Sequence, residues 1–266
     1  MVTSPASAEP MYSVQVNMSG CAYDIRVNDG PLYENVQGFP LVVELPANRW
    51  IRNGANEISF HLTPPLGATR MDKDCHCTAV VYVRERSEDR EARREVAKLE
   101  YPGPSPVTRQ GNAVIATGSF VADVPYPVFR WFTSGEIAYG EETRLQLVKE
   151  VESFHALLEA KNLDALAARV LERDKEDAAA LYRSLGEQVG FSRRDYSQFF
   201  DEAAYTLRPA RTATAKLRIF GNGRLARLDL SNGQSPVYYL TADRQTAGYV
   251  GMVFCLNGDG KWMVIR

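Results

Sequence analysis

The hydrophobic pattern of this chain changes period twice. From Tyr12, apolar and polar positions alternate through Val14, Val16 and Met18, and the alternation resumes at Tyr23, Ile25 and Val27 beyond a turn signal at Ser19-Gly20. Period two puts successive side chains on opposite faces of a strand, so these two runs predict a hairpin. Asn28-Asp29-Gly30 closes the second strand, and further strands are expected over 39–45, 57–62, 78–86, 97–101 and 113–121. Seven short strands punctuated by Gly, Asn and Pro predict a β-sandwich over 11–130. Pro125-Tyr126-Pro127 ends it, and 131–140 is expected as a linker.

The period then lengthens. Leu147, Val148, Val151, Phe154, Leu157 and Leu158 recur at steps of three and four, which predicts an amphipathic helix from Glu141. Asn162 is placed to cap a second helix carrying Leu163, Leu166, Val170 and Leu171. Residues 177–185 continue helical, Gly186 and Gly190 break the pattern, and Ser192 is placed to cap a last helix reaching Tyr205. After Pro209 the period returns to two over 213–219, 225–230, 237–240, 247–256 and 261–265. Asn222-Gly223 is a type I′ hairpin signal between the first two of these runs. Helices followed by an antiparallel meander predict an α+β domain over 141–266.

Composition narrows the class. Of 266 residues 45% are hydrophobic and 24% charged, enough for a packed core. The net charge is −2, and neither half is basic: Lys+Arg against Asp+Glu is 13 to 15 through Gly135 and 18 to 18 beyond it. A phosphate backbone needs a basic surface, so no nucleic acid partner is expected. The apolar runs are too short for a membrane span. Residues 1–10 lack a signal peptide's charged and apolar regions and are expected to be disordered or processed. Ala6-Ser7-Ala8 has the form of a cleavage site, so a periplasmic or secreted location is expected ahead of a cytoplasmic one. The charged stretch 84–100 carries six basic and six acidic residues. It reads as a solvated hairpin extension or short exposed helix, the alternative being a docking arm for a charged partner.

Four cysteines stand at 21, 75, 77 and 255. In an exported protein Cys21 is expected to bridge to Cys75 or Cys77, closing a loop worth roughly 3–4 kcal/mol. The reduced state is the other reading, and no metal site is expected because no second clustered pair has zinc spacing. Cys255, in an apolar run, is expected to be a buried thiol. Gly221-Asn222-Gly223-Arg224-Leu225-Ala226 fits a dinucleotide-binding template, but a strand pattern follows where that template needs a helix. It reads as a turn, and no cofactor is expected.

Two resemblances follow from particular segments. Residues 154–166, Phe-His-Ala-Leu-Leu-Glu-Ala-Lys-Asn-Leu-Asp-Ala-Leu, and the ending 257–266, Asn-Gly-Asp-Gly-Lys-Trp-Met-Val-Ile-Arg, resemble the nuclear transport factor two superfamily. That is the cone fold of ketosteroid isomerase, scytalone dehydratase and the polyketide cyclases. The resemblance implies a pocket between helices and sheet, in a superfamily that contains both enzymes and non-catalytic binding domains. No motif here aligns with the isomerases' catalytic acids. Residues 25–30, Ile-Arg-Val-Asn-Asp-Gly, and 50–58, Trp-Ile-Arg-Asn-Gly-Ala-Asn-Glu-Ile, are similar to jelly-roll accessory domains of glycoside hydrolases.

The expected function is therefore non-catalytic binding of a protein or small molecule, as an envelope protein or an inhibitor of an enzyme or toxin. The alternative is a small isomerase, dehydratase or cyclase working by proton transfer beside a carbonyl. Candidate ligand-binding residues in the C-terminal half are His155, Asp201, Tyr205, Arg218, Tyr238, Tyr239 and Trp262, and His155, Asp201, Tyr205 and Tyr239 are the ones an enzyme would use.

Overall fold

The computed structural model describes residues 8–244 and 247–266. The chain divides into two compact units, one running to Val128 and including Ala180–Tyr182, the other formed by Phe129–Ala179 and Arg183–Arg266. Among the described residues the fold is mostly antiparallel β, in four sheets, with four α-helices. None of these helices is long and apolar enough to cross a membrane. Most of the expected 1–10 terminus lies outside the described residues, and Pro10 already belongs to the first strand.

The first unit holds β1 (Pro10–Ser19), β2 (Ala22–Val27), β3 (Gly30–Asn35), β4 (Leu41–Pro46), β5 (Gly54–Thr63), β6 (His76–Glu85), β7 (Arg94–Tyr101), β8 (Val107–Gln110) and β9 (Ala113–Ala122). One sheet runs β4-β1-β6-β7 and the other β3-β2-β5-β9-β8. The two pack through Tyr12 against Phe120, ring centroids 6.2 Å apart, and through Leu99, which fills the space beside Gly118. The hairpin expected between the first two strands is not formed, because β1 and β2 lie in different sheets. Gly20, at φ +76°, turns the chain from one sheet to the other, and a Cβ there would come within 3.0 Å of the Cys75 backbone. The hairpin in this region is β2–β3: Val27 pairs with Gly30 around Asn28 (φ 52°) and Asp29 (φ 58°), the two positive φ values of a type I′ turn. The stretch 84–100 is a hairpin extension, with a single exposed 3-10 turn at Arg90–Ala92 between β6 and β7.

In the second unit α1 (Glu141–Glu159) buries Leu147, Val151, Phe154 and Leu158, one stripe at helical spacing. Asn162 caps α2 (Leu163–Arg169) by accepting from Ala165 N–H at 3.0 Å. α3 (Leu171–Ala180) follows, then α4 (Leu185–Gln198). The cap of α4 is Ser184, whose hydroxyl and the Glu187 carboxylate form a reciprocal capping box. Ser192 is inside the helix, and Gly186 and Gly190 do not interrupt it. Tyr205 is not helical but opens a short strand, β10 (Tyr205–Leu207).

The remaining strands are β11 (Lys216–Phe220), β12 (Leu225–Asp229), β13 (Tyr238–Thr241), β14 (Ala247–Tyr249), β15 (Phe254–Leu256) and β16 (Trp262–Val264). They form two sheets rather than one meander, β11-β12-β15-β16 and β10-β13-β14, because the expected strand 247–256 is broken between Tyr249 and Phe254. The stripe of α1 packs into a core with Leu217, Ala226, Leu228, Tyr239 and Phe254. Residues 131–140 are no free linker: Trp131 and Ile137 are buried, and Ile137 N–H donates to the Gly223 carbonyl at 2.7 Å.

Candidate functional site

The space between α1 and the β11–β12 hairpin is filled by side chains, and a pocket of the second unit opens elsewhere along α1. Its volume is about 590 Å³, within the range of small-molecule sites. Three local events create it. α1 ends at Glu159, and Lys161, at φ 51°, turns the chain away. α4 ends at Gln198 and leaves Phe199 and Phe200 against the opening. β10 then pairs with β13, setting Leu207 opposite Tyr239. His155 and Leu158 line it from α1, Tyr205 to Pro209 from β10 and the chain after it, and Tyr239 from β13.

Tyr239 is the informative residue. It is 1% exposed, and its ring stacks on Phe199 with centroids 4.5 Å apart and an interplanar angle of 12°. Its buried hydroxyl has no hydrogen-bond partner among the described residues. An unsatisfied buried hydroxyl costs about 1–3 kcal/mol, so a partner from outside the chain would relieve a standing penalty. Burial, reinforced by Tyr196, pushes its phenol up to about 12, which keeps the proton in place as a donor.

His155, on α1, is half-buried. Its Nε2 is 2.9 Å from the Arg208 carbonyl oxygen, which can only accept, so Nε2 carries a hydrogen and Nδ1 is the nitrogen left without a partner among the described residues. Charged residues line the pocket too: Lys161 is paired with Glu202, whose carboxyl that contact holds low. The Arg208 guanidinium and the Glu159 carboxylate have no ion-pair partner among the described residues.

The pocket thus brings together His155, Tyr205 and Tyr239 and leaves the other four candidates outside. Asp201 sits beside it, but its carboxylate accepts from Ala203 N–H at 3.0 Å and shapes its own turn. Tyr238 faces the other side of β13, stacked on Tyr249 at 6.1 Å and under the Arg211 guanidinium at 4.6 Å. Arg218 pairs across its sheet with Asp229 at 3.3 Å. Trp262 donates to Gln146 Oε1 at 3.3 Å, and nine residues of α1 separate Gln146 from His155, about 13 Å of helix rise. Phe199 and Phe200 stand in the aromatic run that the sequence places on the last helix, whereas Lys161, Glu202 and Arg208 were not legible as pocket residues. The one signal for them was the break in helical pattern before Arg208-Pro209, which marks the end of α4 and the start of a new edge.

In the first unit, Cys21, Cys75 and Cys77 are all buried thiols. Cys21 Sγ donates to the Ser19 carbonyl at 3.4 Å and Cys75 Sγ to Met71 Sδ at 3.8 Å, and the interaction between the two thiols raises Cys21 and lowers Cys75. Burial holds Cys77 up at about 12, and does the same for Cys255 in the second unit. Among the described residues no group of three or more His, Cys, Asp or Glu is arranged to hold a metal ion.

Compared with known proteins, the chain has no significant match to a family model, a curated protein or a solved structure.

Proposed function

We propose that the second unit is a non-catalytic binding domain for a small molecule with a flat apolar body and one hydrogen-bond acceptor. The observation that carries this reading is the buried, unpartnered hydroxyl of Tyr239, a residue that lines the pocket. The stacked Phe199 ring and the Tyr205 edge supply an apolar slot for the body of such a ligand. Among the described residues, the carboxylates lining the pocket are Glu159 and Glu202, both exposed. Among the described residues a carboxylic acid tuned by burial is therefore lacking there. Helices preceding antiparallel strands support reading this unit as a cone of the nuclear transport factor two kind. Two facing antiparallel sheets support reading the first unit as a jelly-roll-like sandwich.

Calorimetry with 2-acetylnaphthalene and 2-ethylnaphthalene tests the reading, since the two probes differ chiefly in the carbonyl. The ketone is expected to bind more tightly by about fivefold, the worth of one hydrogen bond, and Tyr239→Phe to abolish the difference. Equal affinities in the wild-type protein, or no binding of either probe, would overturn it.

A second reading, proton transfer beside a carbonyl, is favoured by the free Nδ1 of His155. The same ketone separates the two. Deuterium exchange into its methyl group faster than in buffer, and lost in His155→Gln, supports catalysis. Binding without accelerated exchange supports retention alone.

A further inference from the structure

We propose that Cys21 and Cys75 are a dithiol–disulfide pair that fastens the loop 64–75 to the corner after β1, with Cys75 as the reacting sulfur. This inference stands apart from the pocket. In the β1–β6 ladder Met18 lies opposite Cys77 and Ser19 opposite His76. Continuing that register past the strand ends sets Gly20 opposite Cys75, and the absent Gly20 Cβ lets the Cys75 backbone approach. The Asp72 N–H donates to the Gly20 carbonyl at 2.8 Å, which pins the loop over the corner. The two thiols are already within hydrogen-bonding reach, so the bond needs only side-chain rotation and a small loop adjustment.

Cys75 and Cys77 point the same way, but they are not equivalent. Cys77 is held in β6 with ladders on both sides, opposite Met18 of β1 and Tyr101 of β7. Cys75 precedes the strand, under a loop whose residues 66–74 are exposed apart from Met71. The interaction between the two thiols raises Cys21 and lowers Cys75, so with the more open position the thiolate forms first at Cys75.

The oxidant required is a low-molecular-weight disulfide, such as oxidised glutathione. The Cys75 thiolate attacks one of its sulfurs, the S–S bond breaks, and one glutathione thiolate leaves. That thiolate takes the proton of Cys21, and the Cys21 sulfur attacks Cys75 in the mixed disulfide. The second glutathione leaves as a thiolate and takes up the proton that Cys75 lost. Two protein thiols are oxidised and one glutathione disulfide is reduced to two thiols.

The test is titration of the full chain with oxidised and reduced glutathione, read by intact mass and by fragmentation of the linked peptides. The expected result is a loss of two mass units, with fragment ions cut between Cys75 and His76 assigning the bond to Cys21–Cys75. Cys77→Ser should form the same bridge, and Cys75→Ser should lose it while keeping the wild-type circular dichroism. The oxidised protein should melt roughly 10 °C higher in the first unit. Should Cys75→Ser not fold, the fragment ions of the wild-type protein decide the pairing by themselves. A bond assigned to Cys77, or no bridge at any glutathione ratio, would overturn the proposal.

Discussion

The two units bury their polar groups in different ways. In the first, the buried polar side chains are mainly amides used as staples. Asn48 accepts from Tyr12 N–H at 2.6 Å and donates to the Pro10 carbonyl at 2.8 Å, tying the strand entry to the chain after β4. Asn28 donates to the Trp50 carbonyl and to Asn56 Oδ1, and Asn56 returns bonds to the Arg52 and Gly54 carbonyls. In the second unit the buried polar groups are mostly charged. Asp174, 0% exposed, accepts from Arg173 and from the Ser192 hydroxyl at 2.7 Å, while Arg173 also donates to the Tyr196 hydroxyl at 3.0 Å. Glu176 and Asp177 face Arg266 at 3.6 and 3.5 Å. Amides satisfied by backbone do not titrate. Buried carboxylates do, and each depends on a particular cation, so the second unit is the one sensitive to pH and to single deletions of charge.

The sharpest way to break this contrast is Asp174→Ala. It removes the carboxylate hydrogen-bonded to the buried Arg173 guanidinium and leaves the neutral Ser192 and Tyr196 groups and the Asp177 charge. A loss of about 3–5 kcal/mol is expected. Hydrogen exchange read by mass spectrometry should show it as faster exchange in α3 and α4, with the strands β1 to β9 keeping their protection. Equal deprotection of both units would show that the charge cluster is not a local support.

Asn48→Ala makes the reciprocal test. It strands Tyr12 N–H and leaves the Pro10 carbonyl with the Tyr182 hydroxyl in place of two donors, at a cost of about 1–3 kcal/mol. The midpoint of urea unfolding should fall, and the fall should be the same at acid and neutral pH because no titrating group has been removed. A pH-dependent loss would mean that the amide was holding a charge in place.

How much of this contrast the sequence carries depends on the interaction. Period two and period 3.6 give the elements, because burial on one face writes itself directly into the pattern of Val, Ile, Leu and Phe. Asn162 and the Asn28-Asp29 turn are legible for the same reason, since each acts on its own neighbours in the chain. Partners distant in sequence are not written this way. Nothing in Ser19-Gly20 distinguishes a hairpin from a passage between sheets, and the choice is made by the Cys75 backbone some fifty residues on. Alternation says that one of Tyr238 and Tyr239 faces inward without saying which. That is settled by the tertiary packing of β13, which pairs with a short strand starting where the expected helix ends and stacks Tyr239 on Phe199.

Glu176 gives a smaller and pH-dependent effect. Burial raises its carboxyl above the ordinary range, with Arg266 and the Arg130 N–H offsetting only part of this. A raised folded value means that the folded state holds the proton more tightly than the unfolded chain. The associated stability is present below the unfolded carboxylate value, near 4.3, and is lost as pH rises through the folded one. Each unit of upward shift corresponds to about 1.4 kcal/mol. Glu176→Gln should therefore flatten the decline in stability of the second unit from pH 4 towards neutrality. An unchanged slope would assign the decline to other groups.

The smallest expected effect tests a local rule that the fold overrides. Gly186 and Gly190 read as helix breakers, yet α4 runs through both from the Ser184 cap. Neither has a positive φ. A Cβ on Gly186 would meet nothing within 4 Å, and one on Gly190 would touch only the Arg194 guanidinium at 3.7 Å, an ordinary contact. The glycines thus fill no steric need and cost the helix conformational entropy, which the capping box and the buried Gln188, Ser192 and Tyr196 offset. Gly190→Ala should stabilise the second unit by about 0.5–1 kcal/mol, seen as a higher urea midpoint with an unchanged slope. The gain should add to the loss in Asn48→Ala, because the two residues share no partner. A destabilising Gly190→Ala would mean that the backbone at 190 is not helical in solution, and Ser192 would then return as the cap that its sequence position suggests.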